Sequence, residues 1–391
     1  MNGKNINNKT GIFKKVIFIG PQYKNSRGGI GAVLATYAQN IKDFKFIASY
    51  NSLYSLPKNS LFFIKAIMIL FKKLMLDKDI RIVHLHGNLK GSFYRMYIFF
   101  VISKYIFHKK VIYHYHAGER FKVFYDGANR FIKYLLSHLL RKSDVLICLS
   151  NNFYLFFNKN YRVNKIEVLH NPVSLPSSGD ANRSKDPILK LLFLGRIVEP
   201  KGIFDLLNVM LKYRSELEGH VVLHIGGSDD GMKISKFIQE NNLEGYIVFK
   251  GWVKGRDKEM LLSACDVFVL PSYREGMPVS ILEAMSYGKA ILSTTVGGVP
   301  EIVQNNGNGL LINPGDTNHL KQCIDQFIKK PSMINEMGLA SKEKVKDFLS
   351  PNIMIKLEEI YKNILKRQFE YTRQDIDQYH KKNPGNSAVS L

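Results

Sequence analysis

The chain is poor in cysteine, with Cys148, Cys265 and Cys323 scattered through 391 residues and no C-x-x-C pair. An odd, dispersed set builds neither a disulfide framework nor a cysteine metal site, and it favours a reducing compartment. Long apolar runs are also missing. Met1–Thr10 is polar, and the apolar run Val16–Gly20 is far too short for the core of a secretion signal. The best spanning candidate, Leu61–Leu76, is broken by Lys65, Lys72 and Lys73. These absences predict a protein made and kept in the cytoplasm. Acidic residues are scarce in one half only. Residues 1–180 carry 28 Lys and Arg against 8 Asp and Glu, or +20 of the total +23, whereas residues 181–391 carry 28 against 25, or +3. The first half therefore faces something anionic, nucleic acid or lipid, and the second is nearly neutral.

Enough is present for two domains with sizeable cores, and 45% hydrophobic residues exclude wholesale disorder. Short β-branched runs alternate with helix-length segments throughout, the pattern of parallel α/β layers. Strands are expected at Val16–Gly20, Ile80–His86, Val111–His116, Val145–Leu149 and Ile166–Leu169, then at Leu189–Gly195, Val221–Gly226, Ile247–Gly251, Val267–Leu270, Ala290–Thr294 and Gly309–Ile312. The stretch Asn171–Pro187, rich in Pro, Ser, Asn and Gly, reads as an interdomain linker. The resulting division is an N-terminal domain over 1–175, a linker over 176–187 and a C-terminal domain over 188–350. A helix over 351–370 is expected to pack back on the first domain, followed by a loose polar tail over 371–391. The fold class is α/β: two tandem doubly wound, Rossmann-like domains facing a cleft.

Arg196 and Lys201 follow the apolar run Lys190–Gly195, where open α/β sheets bind ligands at strand carboxyl ends. A forked guanidinium beside a point ammonium suits a pyrophosphate. An amphipathic helix, Ile203–Leu217, follows Gly202. Further on, Glu275 and Glu283 stand eight apart around a helix start. Gly276 permits close backbone approach, Pro278 fits the first position of a helix over Val279–Tyr287, and the N–H groups of Val279 and Ser280 would point at an anion. Glu275 can accept hydrogen bonds from sugar hydroxyls and Glu283 from ribose hydroxyls. The competing reading is a pair of solvated cations, a helix-start glutamate favoured by the dipole and a surface glutamate.

The motif Glu275-Gly-Met-Pro-x4-Glu283-Ala-Met-x2-Gly288, with Gly297-Gly-Val-Pro-Glu301 downstream, resembles the signature of family 4 retaining glycosyltransferases of GT-B architecture. The resemblance spans roughly Leu189 to Lys330, and Arg196 and Lys201 fall where that family places its diphosphate-binding pair. It implies that Glu275 contacts the donor sugar and Glu283 the ribose, with Gly276, Met277 and Pro278 among the substrate-binding residues. It also implies that the Gly251-Trp252-Val253 segment brackets the base through backbone groups.

In the first half, Gly28, Gly29 and Gly31 form a Gly-rich loop after the first strand. Alone such a loop is usually just a turn, and no Gly-Lys-Ser/Thr makes it a Walker loop. The resemblance gives it the role of letting the backbone approach donor phosphate and acceptor. His114 and His116 end one strand on a common face, and His84 and His86 repeat the alternation. A four-histidine metal site is conceivable, but no third ligand has sensible spacing, and packed core or cleft-lining histidines are the simpler reading. For His116 the resemblance implies the donor-site histidine that stabilises the sugar. Asp-x-Asp occurs at Asp77–Asp79 and Asp375–Asp377, at a basic helix end and in the tail, so no metal–diphosphate clamp is expected and catalysis should need no metal cofactor.

Leu56–Leu76 sets Lys58, Lys65 and Lys72 at seven-residue spacing among crowded apolar residues, and Tyr94–Lys110 repeats the recipe. Such helices lie in an anionic membrane interface or cover a sheet. The excess of +20 favours lipid for the first, and sheet cover is the better reading of the second. The sequence thus predicts a retaining glycosyltransferase, peripheral on the inner face of the cell membrane. It would use a nucleotide-sugar donor, UDP-linked by the family's habit, and a polyprenyl-linked or oligosaccharide acceptor in bacterial surface-polysaccharide synthesis. The alternatives are a nucleotide-sugar epimerase on the same architecture and a basic nucleic-acid-binding protein. The last explains the charge but not the carboxylates, and no nucleic-acid motif is present.

Overall fold

Val, Ile and Leu dominate the strands because both faces of a parallel sheet are buried. The computed structural model describes residues 11–24, 26, 28–118, 120–176, 187–228 and 233–382, the last of these as backbone alone beyond Lys366. The first sheet contains β1 (Val16–Pro21), β2 (Lys45–Tyr50), β3 (Ile82–Gly87), β4 (Lys110–Tyr115), β5 (Val145–Cys148) and β6 (Ile166–Val168), in the order β2-β1-β3-β4-β5-β6. Its helices are α1 (Gly29–Asn40), α2 (Leu56–Leu76), α3 (Gly91–Val101), α4 (Arg120–Asp126), α5 (Arg130–Lys142) and α6 (Asn151–Asn160).

The second sheet contains β7 (Leu189–Leu194), β8 (Val221–Gly226), β9 (Ile247–Phe249), β10 (Val267–Leu270), β11 (Ala290–Thr294) and β12 (Gly309–Ile312), in the order β12-β11-β10-β7-β8-β9. Around it lie α7 (Ile203–Lys212), α8 (Arg214–Leu217), α9 (Lys233–Glu240), α10 (Gly255–Ala264), α11 (Val279–Ser286), α12 (Val299–Ile302), α13 (Thr317–Lys329) and α14 (Pro331–Lys344). All strand pairs are parallel. Strand order reverses beside β1 in the first sheet and beside β7 in the second, and both reversals open crevices at strand carboxyl ends.

Alternation along β1 sends Ile17 and Ile19 into one apolar layer and Val16 and Phe18 into the other. The second layer is completed by the last helix, α15 (Ser350–Lys382), through Ile353, Met354, Leu357, Tyr361 and Ile364. The chain thus returns to its first domain after finishing the second. The two crossing segments pair with each other: Val173 N–H donates to Phe348 O at 2.9 Å and Ser350 N–H to Val173 O at 2.8 Å.

The structure corrects several expectations. The edge strand β2 is additional; its run Lys-Phe-Ile-Ala-Ser-Tyr mixes small and charged residues and buries only Ile47 and Ser49. The helix expected over Ile203–Leu217 breaks at Tyr213. The linker read from Asn171 begins as fixed structure, with Asn171 and Val173 buried, and residues 177–186 lie outside the described set. The helix α15 continues through Lys382, past the start of the tail expected from 371. The remainder of that tail, 383–391, is outside the described residues.

The helix α2 covers the first sheet with one face and leaves apolar residues exposed on the other. Ala66, Leu70 and Leu74 pack inward, while Leu61, Ile64, Met68 and Met75 stand exposed on the opposite side. In contrast, α3 buries Phe93, Met96, Phe99 and Phe100 against the sheet and ends in a π-helical turn, Ile102–Ile106. No helix among the described residues is long and apolar enough to cross a membrane.

Candidate active site

A cleft of about 930 Å³ opens between the carboxyl ends of the two sheets. On the C-terminal side Arg196 leaves the end of β7, and Lys201 closes a short 3-10 turn before α7. Gly202 must turn there with φ 67°, and any Cβ would come within 1.9 Å of Pro271 O. That close contact joins the loops after β7 and β10 at the strand-order reversal. Tyr273 N–H reinforces it by donating to Pro200 O at 3.0 Å.

Glu275 stands in the loop after β10. Its carboxylate accepts from Lys201 Nζ at 2.6 Å and from Ser272 Oγ at 2.7 Å, with the side chain only 7% exposed. Arg196 has no carboxylate partner among the described residues. One cation of the pair is therefore neutralised internally, and the other, exposed at the cleft wall, has no such partner among the described residues. Pro278 corrects its expected place: it precedes the helix as N-cap in extended backbone (φ −72°, ψ 115°), and its carbonyl receives Ile281 and Leu282 N–H. The first turn of α11 brings Val279 and Ser280 to the cleft wall. Glu283, one turn on, accepts from Lys258 Nζ at 2.6 Å.

The Glu275–Gly276 peptide also touches the other domain. Gly118, at φ 63°, approaches so closely that a Cβ would stand 2.7 Å from Glu275 O, and Gly297 meets the same carbonyl from its own domain. Around this contact, Glu301 accepts from Asn151 and Asn152 N–H, both at 3.1 Å, thereby capping α6 across the interface. His170 lies 3.6 Å from the same carboxylate. These donors hold Glu301 below the usual carboxylate range even though its burial opposes them.

On the N-terminal side, Gly28 is the extended N-cap of α1, and Gly29 and Gly31 lie in its first turn. A side chain on Gly31 would strike Ser26, whereas among the described residues nothing lies within 4 Å of a Cβ added at Gly28 or Gly29. Their open surroundings leave bare backbone facing the cleft. The neighbouring Arg27 lies outside the described residues.

His116 follows β4 into the cleft, and His84, His86 and His114 are wholly buried behind it. The four rings stack, with centroids 4.4 Å apart for His84–His86 and 4.2 Å for His114–His116. His86 Nδ1 and His116 Nε2 share a hydrogen bond of 3.0 Å; His84 Nε2 and His114 Nδ1 share one of 3.2 Å. Tyr361, from α15, reaches His84 Nδ1 at 2.6 Å. Burial lowers the affinity of all four rings for protons, taking His116 down to about 3. Ring nitrogens of His84, His86 and His114 lie within 4.8 Å of one another. However, the planes of His84 and His86 are tilted by only 15°, and near-parallel stacked rings do not aim their lone pairs at one point about 2 Å away.

The cleft therefore gathers His116, Arg196, Lys201 and Glu275 with Gly28, Gly29, Gly31, Val253, Gly276, Val279, Ser280 and Glu283. Met277 and Pro278 do not line it. The Met277 side chain is in the core, and its carbonyl accepts from Asn171 Nδ2 at 2.7 Å. Lys258, Arg120 and Asn88 line the cleft without having been singled out in the sequence. Lys258 sits on α10 among exposed charges, and only its distance from Glu283 sets it apart.

Two family models match the chain, one on each domain: Glycosyltransferase Family 4 over residues 32–176 and Glycosyl transferases group 1 over 180–344. An uncharacterized glycosyltransferase of Methanocaldococcus jannaschii is 24% identical over 342 residues, covering 84% of this chain and 85% of that one. A 41.2 kDa protein in the cps region of Klebsiella pneumoniae is 26% identical over 270 residues, covering 66% and 72%. Among solved structures, HepE of Anabaena in complex with UDP superposes with a TM-score of 0.69 at 16% identity, covering 89% of this chain and 100% of that one. With both domain models in sequence on two facing doubly wound sheets, the chain belongs to glycosyltransferase family 4 and has the GT-B fold.

Proposed function

We propose that the protein transfers a sugar, with retention of anomeric configuration, from a UDP-sugar to a lipid-linked or oligosaccharide acceptor in bacterial surface-polysaccharide synthesis. The observation that carries the donor class is Arg196, without a carboxylate partner among the described residues, lining one cleft with Lys201 and the first turn of α11. Charge develops on the leaving diphosphate as the glycosidic bond breaks. Fixed cations and N–H groups aimed at it lower the barrier, each worth roughly 10²–10³-fold in rate. These groups do the work of a divalent cation, and the reaction is metal-independent. Bare backbone at Gly28 and Gly29 leaves room opposite for phosphate or acceptor.

Retention fits the carboxylate inventory. Among the described residues, Glu275 and Glu283 are the carboxylates lining the cleft, and each is tied to a lysine on the donor side. Among the described residues, no carboxylate from the N-terminal domain lines the cleft opposite them to act as nucleophile. The departing phosphate then takes the acceptor proton.

The acceptor side favours a membrane. On α2, Leu61 is 70% exposed and Met68 60%, with Ile64 and Met75 on the same stripe. Lys58, Lys65 and Lys72 run alongside, where they would meet anionic headgroups at the cytoplasmic face. The kinship with a cps-region protein agrees with a polysaccharide pathway. A donor screen by thermal shift tests the reading, since a bound donor raises stability by mass action. UDP and UDP-sugars should raise the midpoint. Equal indifference to every nucleoside diphosphate would overturn the assignment.

A further inference from the structure

We propose that His86 is a positioning residue, fixing His116 in the tautomer that carries its proton on Nδ1 and so presents an N–H donor to the cleft. The inference rests on the reading of His116 as a substrate contact. It adds the group that decides what kind of contact His116 makes.

The argument begins with the hydrogen bond between His86 Nδ1 and His116 Nε2, 3.0 Å long. Both rings are kept neutral by burial, so each carries one N–H, and one of the pair donates. Two arrangements satisfy this bond. If His116 Nε2–H donates, His86 Nδ1 accepts and the His86 proton must sit on Nε2. That atom is buried and has no partner, so a bare N–H would be stranded in the core. If His86 Nδ1–H donates, its Nε2 is an acceptor whose lone pair receives no hydrogen bond, and His116 must carry its own proton on Nδ1. Orphaned buried N–H groups are rarer in folded proteins than under-satisfied acceptors, and the second arrangement avoids one.

The remaining His116 nitrogen, Nδ1, has no hydrogen-bond partner among the described residues and is not among the buried unpartnered atoms. His116 itself lines the cleft. The ladder behind it leaves little freedom to change. His86 is pressed between the His84 and His114 rings, at centroid distances of 4.4 and 4.9 Å, and His84 is tied to Tyr361 of the returning helix. An imidazole with its proton on Nδ1 donates to an oxygen. It suits a sugar hydroxyl or ring-substituent oxygen held at that wall.

The test is a long-range ¹⁵N–¹H correlation spectrum of the histidine-labelled full chain at neutral pH, with the His116 signals assigned by His116→Gln. The expected pattern has the proton on Nδ1. A proton on Nε2, or rapid averaging between the two nitrogens, overturns the proposal. Substitution supplies the second arm. Asn places an amide nitrogen near the position of Nδ1, so His86→Asn should keep transfer within about 3-fold, while His86→Leu should lower kcat about 10-fold with KM little changed, the loss of roughly one hydrogen bond. Equal losses in both variants, at matched thermal stability, would reduce His86 to a packing role and overturn the proposal. If the Nδ1–H pattern is found but His116→Gln transfers sugar normally, the ladder stands and the substrate contact of His116 falls.

Discussion

Lys201 Nζ lies 2.6 Å from Glu275 Oε1, so the ammonium and the carboxylate of the donor wall hold each other before any ligand arrives. Their burial is unequal: 23% of the lysine side chain is exposed against 7% of the glutamate. Lys201→Ala strands a buried carboxylate with Ser272 as its remaining partner, and should cost roughly 3 kcal/mol of stability. Glu275→Gln leaves a lysine that water can reach, and should cost about 1 kcal/mol. Both should reduce sugar transfer at least about 100-fold if the pair serves the transition state. Urea unfolding of the two variants checks the asymmetry, and equal losses would show that the carboxylate is better solvated than its exposure indicates.

A second pair, Lys258 and Glu283, lies nearer the surface, with side chains 31% and 22% exposed. Such a pair contributes little to stability, so Lys258→Ala should leave the unfolding midpoint almost unchanged. It should instead loosen Glu283 and, if that carboxylate holds the donor's ribose hydroxyls, weaken donor binding. The expected result is a rise in donor KM of about 10-fold with kcat nearly constant, as for a lost charged hydrogen bond. A fall in kcat at constant KM would move Lys258 into the chemical step.

These two pairs also mark how far the sequence could be read. Strand runs such as Leu189–Leu194 and Val267–Leu270 are legible because both faces of a parallel sheet are buried, so they are apolar throughout. Edge strand β2 is buried on fewer positions and leaves a weaker trace. Arg196 and Lys201 were legible from their place after an apolar strand, and Glu275 from its spacing to Glu283 around a helix start. Lys258 was not, because nothing in Gly255–Ala264 separates a cleft-facing lysine from its solvated neighbours. The link between Tyr361 and His84 was equally hidden. It joins residues 277 positions apart: a helix returning to the first domain is expected from the sequence, but no local pattern pairs its Tyr361 with His84.

The exposed stripe on α2 makes a prediction about partition. Leu61→Glu combined with Met68→Glu removes two residues that are 70% and 60% exposed, so folding should be disturbed by less than about 0.5 kcal/mol. Binding to vesicles containing anionic phospholipid should fall at least about 10-fold, with transfer to a soluble acceptor unchanged. Replacing Lys65 and Lys72 with Ala should act differently, weakening binding by about 1 kcal/mol per charge and removing much of its salt dependence. Flotation at two salt concentrations separates the two contributions. Unchanged flotation in both variants would leave α2 without a membrane role.

The histidine ladder couples stability to pH in a defined direction. In the unfolded chain these rings bind protons near the usual 6.5, whereas burial holds His116 down to about 3 and keeps His84, His86 and His114 below 6.5 as well. Below pH 6.5 the unfolded state therefore carries more protons, and stability falls as pH drops toward the folded values. Each ring contributes about 1.4 kcal/mol per pH unit once the unfolded form is protonated, so four rings approach about 5 kcal/mol per unit. His138 and His224, also lowered by burial but less enclosed, add to the same trend. The depressed carboxylates Glu301 and Asp77 act lower, below their usual 4.5 and 3.8, so the interval from pH 6.5 to 5 reports chiefly on histidine. Urea unfolding across that interval should show a steep loss, and His114→Asn should reduce the slope by the share of one proton. A flat profile would mean that the ladder accepts protons in the native state, which its buried, unpartnered His86 and His114 nitrogens argue against.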